Sequence, residues 1–129
     1  MKLELKKPLA VFDLEATGLL VSKDRIVEIA IIKLNPDGSK DNFHSLVNPE
    51  MTIPQEVVEI HGITNEKIKD APTFSAIADD VAEFIGDADL AGYNSNKFDI
   101  PMLAEELLRV GSEFDLGQKK ICRCTKHFP

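Results

Sequence analysis

Apolar and polar positions change rhythm several times along the chain, and each change marks an element. "LAVFDL" (9–14) is a short apolar run that predicts a buried strand. "RIVEIAIIKLN" (25–35) is apolar at nearly every position, which predicts a longer strand covered on both faces in the middle of a sheet. "PDGSK" (36–40) supplies a turn before "NFHSLVN" (42–48), so the second and third strands should pair as an antiparallel hairpin. Residues 49–72 are turn-rich, with "IHGITNEKI" at their centre, and are too long for a mere connector. Thr73 then serves as N-cap of a helix whose apolar positions Phe74, Ile77, Ala78, Val81, Phe84 and Ile85 keep helical spacing up to Gly86. "ADLAGYN" (88–94) predicts a short strand. A second helix spans 99–110, with Pro101 in its first turn and Gly111 just past its end. The order β-β-β-α-β-α predicts the α/β class, a mixed sheet with flanking helices.

Composition narrows the picture little. The 129 residues, 43% of them apolar, suit one compact domain, and no internal repeat or low-complexity tract divides them. Twenty-two acidic against 15 basic residues give a net charge of −7, so no overall basic field gathers nucleic acid. A polyanionic partner would need a metal and local contacts. The N-terminus lacks the continuous apolar core of a signal peptide, and no run is long enough to span a bilayer. Cys122 and Cys124 sit together in the last eight residues, unlike a disulfide framework. A cytoplasmic protein is expected.

The chemistry begins inside the first strand. Asp13 and Glu15 are two residues apart, so an extended backbone puts both carboxylates on one face, where they repel unless something positive lies between them. A strand end emerging into solvent also carries acids for solubility alone. Asp99 opens the second helix just after a strand, where it can project over the sheet toward the end of the first strand. Taken singly, it reads equally well as a helix cap.

"FDLEATGL" resembles the first motif of the DEDD exonucleases, in the epsilon-like DEDDh branch, with Ala16 where Thr is common. "YNSNKFDIPML" (93–103) is similar to their second motif, and "IHGIT" (60–64) to a segment that epsilon-like members place between the two. The resemblance runs from about residue 8 to 115. It implies a ribonuclease H-like fold and removal of nucleotides from DNA or RNA 3′ ends by hydrolysis with two Mg²⁺ or Mn²⁺ ions. By the same resemblance Asp13 bridges the two ions, Glu15 binds one and positions water, and Asp99 holds the other. Thr17, Gly18 and Leu19 would line the terminal-nucleotide pocket, with Gly18 allowing close approach. His61 and Ile63 would contact the last nucleotides, and Asn94 and Phe98 would buttress the strand-to-helix turn. His61 reads nearly as well as a loop histidine bonded to backbone, Phe98 reads as core rather than substrate platform, and His44, on a predicted strand, reads as structural. A DNA polymerase is the partner implied.

The resemblance stops before the family's third motif, a general-base histidine followed five residues later by a fourth metal-binding aspartate. His127 has only Phe128 and Pro129 after it. The expectation is therefore a truncated domain over 1–129, weak or inactive, lacking the C-terminal helical part and prone to self-association through uncovered sheet surface. Permissible codons for "QKKICRCTKHFP" (118–129) contain a long adenine run. Removing one adenine changes the reading to Gln-Lys-Lys-Ser-Val-Asp-Val-Gln-Asn-Ile-Phe, which looks like a family strand leading into its next helix. A frameshifted tail is expected, against the alternatives of a native end or a cut in a longer protein. Two other functions compete. A haloacid dehalogenase-like phosphatase also opens on a strand ending in an acid pair and Thr17, but wants Asp where Glu15 stands and a later Gly-Asp at a strand end, whereas Asp79 and Asp80 fall inside a helix. A non-catalytic ribonuclease H-like module would only bind nucleic acid or protein.

Overall fold

The computed structural model describes residues 7–18, 20, 23–86, 88–92 and 99–111, with residues 91, 92, 99 and 100 described in their backbone alone. Four strands, β1 (Leu9–Ala16), β2 (Ile26–Leu34), β3 (Lys40–Leu46) and β4 (Asp89–Gly92), form one sheet in the order β3-β2-β1-β4. β1 pairs antiparallel with β2 and parallel with β4, and β2 and β3 form the expected hairpin. Gly38, at φ 90°, closes that hairpin by donating to the Asn35 carbonyl at 3.0 Å, a left-handed conformation that favours glycine.

Strand alternation builds the core. Ala10, Phe12, Leu14 and Ala16 of β1 and Ile29 and Ile31 of β2 point to one face. There they meet Phe74, Ile77, Ala78, Val81 and Ile85 of α3 (Phe74–Ile85) and Met102, Leu103 and Leu107 of α4 (Asp99–Arg109). Thr73 stands at the N-cap of α3 as expected, but its side chain makes no capping bond; its backbone bridges to Asn48 instead.

Two features depart from the sequence reading. Residues 49–72 contain two short helices, α1 (Gln55–His61) and α2 (Asn65–Ile68). α1 wholly buries none of its residues, so it carries no apolar rhythm to read; its signals are Pro54 before it and Gly62, at φ 73°, after it. The segment seals a second small core of Val27, Ile53, Ile63 and Ile68. β2, for its part, is not covered on both faces. The second core caps it at the Val27 end, but Ile32 farther along is 42% exposed.

A register shift between Glu15 and Ala16 leaves Glu15 opposite Glu28 and Ala16 opposite Ile26, with Val27 as the extra residue. The bulge sends Ile26 into the main core and Val27 into the small one, both fully buried. It falls at the end of β1, beside the two carboxylates.

Among the described residues no helix is long and apolar enough to cross a membrane. Cys122, Cys124 and the rest of the tail lie outside the described residues.

Candidate active site

Asp13 and Glu15 lie on the face of β1 opposite the main core, as their spacing requires; Asp13 is exposed and Glu15 half-buried. Glu28 of β2, which the sequence reading passed over, stands directly across from Glu15. The signal was available, since Glu28 is an acid interrupting the apolar run of β2. Its own carboxylate meets Nε2 of the exposed His44 at 2.7 Å.

Both site carboxyls are held above their ordinary values. For Asp13 the largest cause is loss of hydration against the sheet, although the side chain keeps open surface; the charge of Glu28 adds to it, and the Leu14 amide works against it. For Glu15 desolvation again leads and Asp13 comes next; His61 lowers the value and Glu28 raises it. Such a pair favours whatever brings positive charge, a proton or a divalent cation. Hard carboxylate oxygens suit Mg²⁺ or Mn²⁺. Among the described residues, however, no three acids, histidines or cysteines gather closely enough to hold a metal by themselves.

The third candidate ligand enters through the topology. β4 runs parallel to β1, with Phe12 opposite Gly92, so both strands end on the same side of the sheet. α4 begins at Asp99, seven residues after β4 ends, and packs on the same sheet. The Asp99 side chain lies outside the description, as do Leu19, Asn94 and Phe98 entirely.

The other expected site residues are placed. His61 is tied to backbone at both ring nitrogens, with Nδ1 accepting from Ile63 N at 3.0 Å and Nε2 facing the Ala16 carbonyl at 3.2 Å. It thereby staples the 49–72 segment to the end of β1. Ile63 is 5% exposed and belongs to the second core. Thr17 is buried, its hydroxyl donating to Asp24 Oδ1 at 2.9 Å and accepting from Arg25 N at 3.1 Å.

The loop after β1 folds around Asp24, whose Oδ2 also accepts from Leu20 N at 2.9 Å. A Cβ at Gly18 would stand 2.4 Å from that Oδ2, so the close approach that Gly18 permits here is to Asp24. Gly18→Ala should therefore cost about 1–3 kcal/mol, the usual range for overpacking a tight site. Urea denaturation checks it. The same change in an Asp24→Ala background, where the opposing carboxylate is gone, should cost much less.

Known proteins share this frame. The DNA polymerase III subunit epsilon of Rickettsia conorii is 46% identical over 99 residues, which are 75% of this chain and 43% of that protein. The PolC-type DNA polymerase III of Clostridium perfringens is 32% identical over 101 residues, 78% of this chain and 7% of that protein. The chain thus spans less than half the length of these curated relatives. Among solved structures, E. coli exonuclease I in complex with a dT13 oligonucleotide covers 83% of this chain, and the chain 25% of it, with a TM-score of 0.74 at 18% identity, which establishes the mixed-sheet fold. A product-bound exonuclease I reaches 0.77 over 93% of this chain and 30% of that one, at 16% identity. With the family pattern matched from residue 10 to residue 122, the chain belongs to the exonuclease family RNase_T.

Proposed function

We propose that the chain carries the metal-binding half of a 3′-5′ exonuclease that releases nucleoside monophosphates from DNA or RNA. The observation that carries this reading is the Asp13–Glu15 pair, on one face at the end of β1, both proton affinities raised, in a chain of the exonuclease family. Two divalent ions, when bound, supply the charge that stabilises attacking and leaving oxygens of a phosphodiester. Asp13, Glu15 and Asp99 would hold them.

The remaining residues position and shield. Thr17 and Gly18, braced by Asp24, shape the floor for the 3′-terminal nucleotide together with Leu19. His61 stabilises the end of β1 beside Glu15, with Ile63 packed in the small core, and Asn94 and Phe98 belong to the substrate site by the family resemblance. Kinship with epsilon subunits supports a DNA polymerase as the partner.

Family membership leaves the phosphatase alternative without support, and Asp79 and Asp80 lie exposed on α3, away from any strand end. A general base contributes typically 10²- to 10⁴-fold to such hydrolysis, and within these 129 residues no histidine is followed five residues later by aspartate. The test is product analysis after long incubation of the chain with Mn²⁺ and 3′-labelled single-stranded DNA or RNA. Labelled nucleoside monophosphate, absent with Asp13→Ala, is expected. Binding of the oligonucleotide with no product would favour the non-catalytic module, and inorganic phosphate as the only product would overturn the nuclease reading.

A further inference from the structure

Glu106 is fully buried, within the apolar stripe of α4 made by Met102, Leu103, Leu107 and the partly buried Val110. A carboxylate in that position must have partners, because its burial alone is costly. Oε1 accepts from Arg25 Nε at 2.8 Å and Oε2 from Ile26 N at 2.8 Å. One turn on, Arg109 Nη1 lies 3.7 Å from Oε1 and donates to the Asp24 carbonyl at 3.1 Å.

All of these anchors sit where the β1–β2 loop enters β2. Arg25 is in turn bonded both ways to Thr17: Thr17 N donates to its carbonyl at 2.9 Å and Arg25 N to the Thr17 hydroxyl at 3.1 Å. Thr17 is two residues past Glu15. One side chain therefore connects α4 to the end of β1. Because its two oxygens meet two donors, the backbone N of Ile26 at the start of β2 and the side chain of Arg25 just before it, it sets the rotation of α4 about its axis as well as its distance from the sheet. Position 99 lies seven residues earlier, about 10 Å or two turns along the helix, so that setting is also the one in which position 99 is delivered.

We propose that Glu106 is a positioning residue of the metal site, holding the helix that begins at Asp99 in register with Asp13 and Glu15 and bracing the Thr17–Asp24 loop at the same time. This rests on the exonuclease reading above. Outer-shell groups bonded directly to metal ligands typically contribute 10- to 100-fold to metal binding; Glu106 acts through the helix instead, so the loss expected is at the lower end of that range.

Calorimetric titration with Mn²⁺, well below the unfolding temperature, separates positioning from mere packing. Glu106→Gln keeps the size and one acceptor oxygen while removing the charge. It should fold and bind Mn²⁺ about 10-fold more weakly. Leu107→Ala, a core change on the same helix at a residue 2% exposed, should lower the melting temperature yet leave the affinity within about twofold. Should Glu106→Gln fail to fold, Arg25→Lys reads the same link from a side chain 21% exposed, with a loss in the same direction. An unchanged affinity in the variant that reads the link, while Asp13→Ala binds nothing, overturns the positioning role and leaves the metal site standing. Equal weakening by Leu107→Ala overturns it too. Mn²⁺ uptake by Asp13→Ala equal to the parent's would overturn the metal site itself, and this proposal with it.

Discussion

Alanine at Glu106 should destabilise the fold by about 3–5 kcal/mol, the range for removing one member of a buried ion pair. Set against a typical domain stability of about 5–15 kcal/mol, that brings the chain close to unfolding. The size follows from what is left behind: Arg25 loses its carboxylate, and Ile26 N, at a fully buried residue, loses its acceptor. The pair's Coulomb attraction is the smaller part of the effect. Arg25→Met combined with Glu106→Leu should therefore recover much of the loss, because the stranded charge is gone and the stripe of α4 becomes continuous. It should not recover all of it, since the Ile26 amide still lacks a partner, a deficit of about 1–3 kcal/mol. Urea unfolding of the parent, the single and the double variant gives the comparison. A single variant within about 1 kcal/mol of the parent would show that water reaches both donors.

Much of this frame is legible in the sequence because periodicity is a local property. The hairpin, α3, β4 and α4 follow from apolar spacing and turn residues, and the shared face of Asp13 and Glu15 follows from the two-residue repeat of a strand. α1 is illegible for the converse reason: it forms between Pro54 and Gly62 with only Val57 and Val58 partly packed on the small core and no residue fully buried. The coverage of β2 could not be read either, because an apolar run reports what could be buried, while Ile32 depends on whether another layer lies over it. The site shows the same division. Glu28 and Glu106 are visible as acids out of step with an apolar pattern, but that Glu28 faces Glu15 depends on the register in which β1 and β2 pair, and that Glu106 reaches Arg25 depends on α4 and the start of β2 meeting across some 80 residues of chain. Gly18 is expected from the sequence to admit a nucleotide, and what a side chain there would meet within the chain itself, Asp24, depends on the fold of the loop.

Asp13→Asn should make the metal-free protein more stable at neutral pH and remove its response to divalent ions, effects of opposite sign from a single oxygen-to-nitrogen change. Asp13 and Glu15 hold protons more tightly in the folded chain than in the unfolded one, whose values are near 3.8 and 4.5. The folded state therefore binds more protons across the window from those values up to the raised ones, and stability falls as pH rises through it. Above the window both groups are charged and their repulsion is fully present. Asparagine at 13 removes one charge, keeps an oxygen that can accept from the Leu14 amide, and relieves Glu15 of the larger of its two repulsions. The gain should be about 0.2–1 kcal/mol, the scale of like charges side by side on a half-exposed sheet, and the loss of stability between acid and neutral pH should shrink. Metal acts on the same repulsion. At a Mn²⁺ concentration a hundredfold above its dissociation constant the parent should gain about 2.7 kcal/mol, and the variant almost none. Thermal unfolding from pH 4 to 8, with chelator and with Mn²⁺, measures both arms. A variant that melts at or below the parent without metal at neutral pH, and that rises with Mn²⁺ as the parent does, would mean that the two carboxylates neither strain the strand end nor hold the ion.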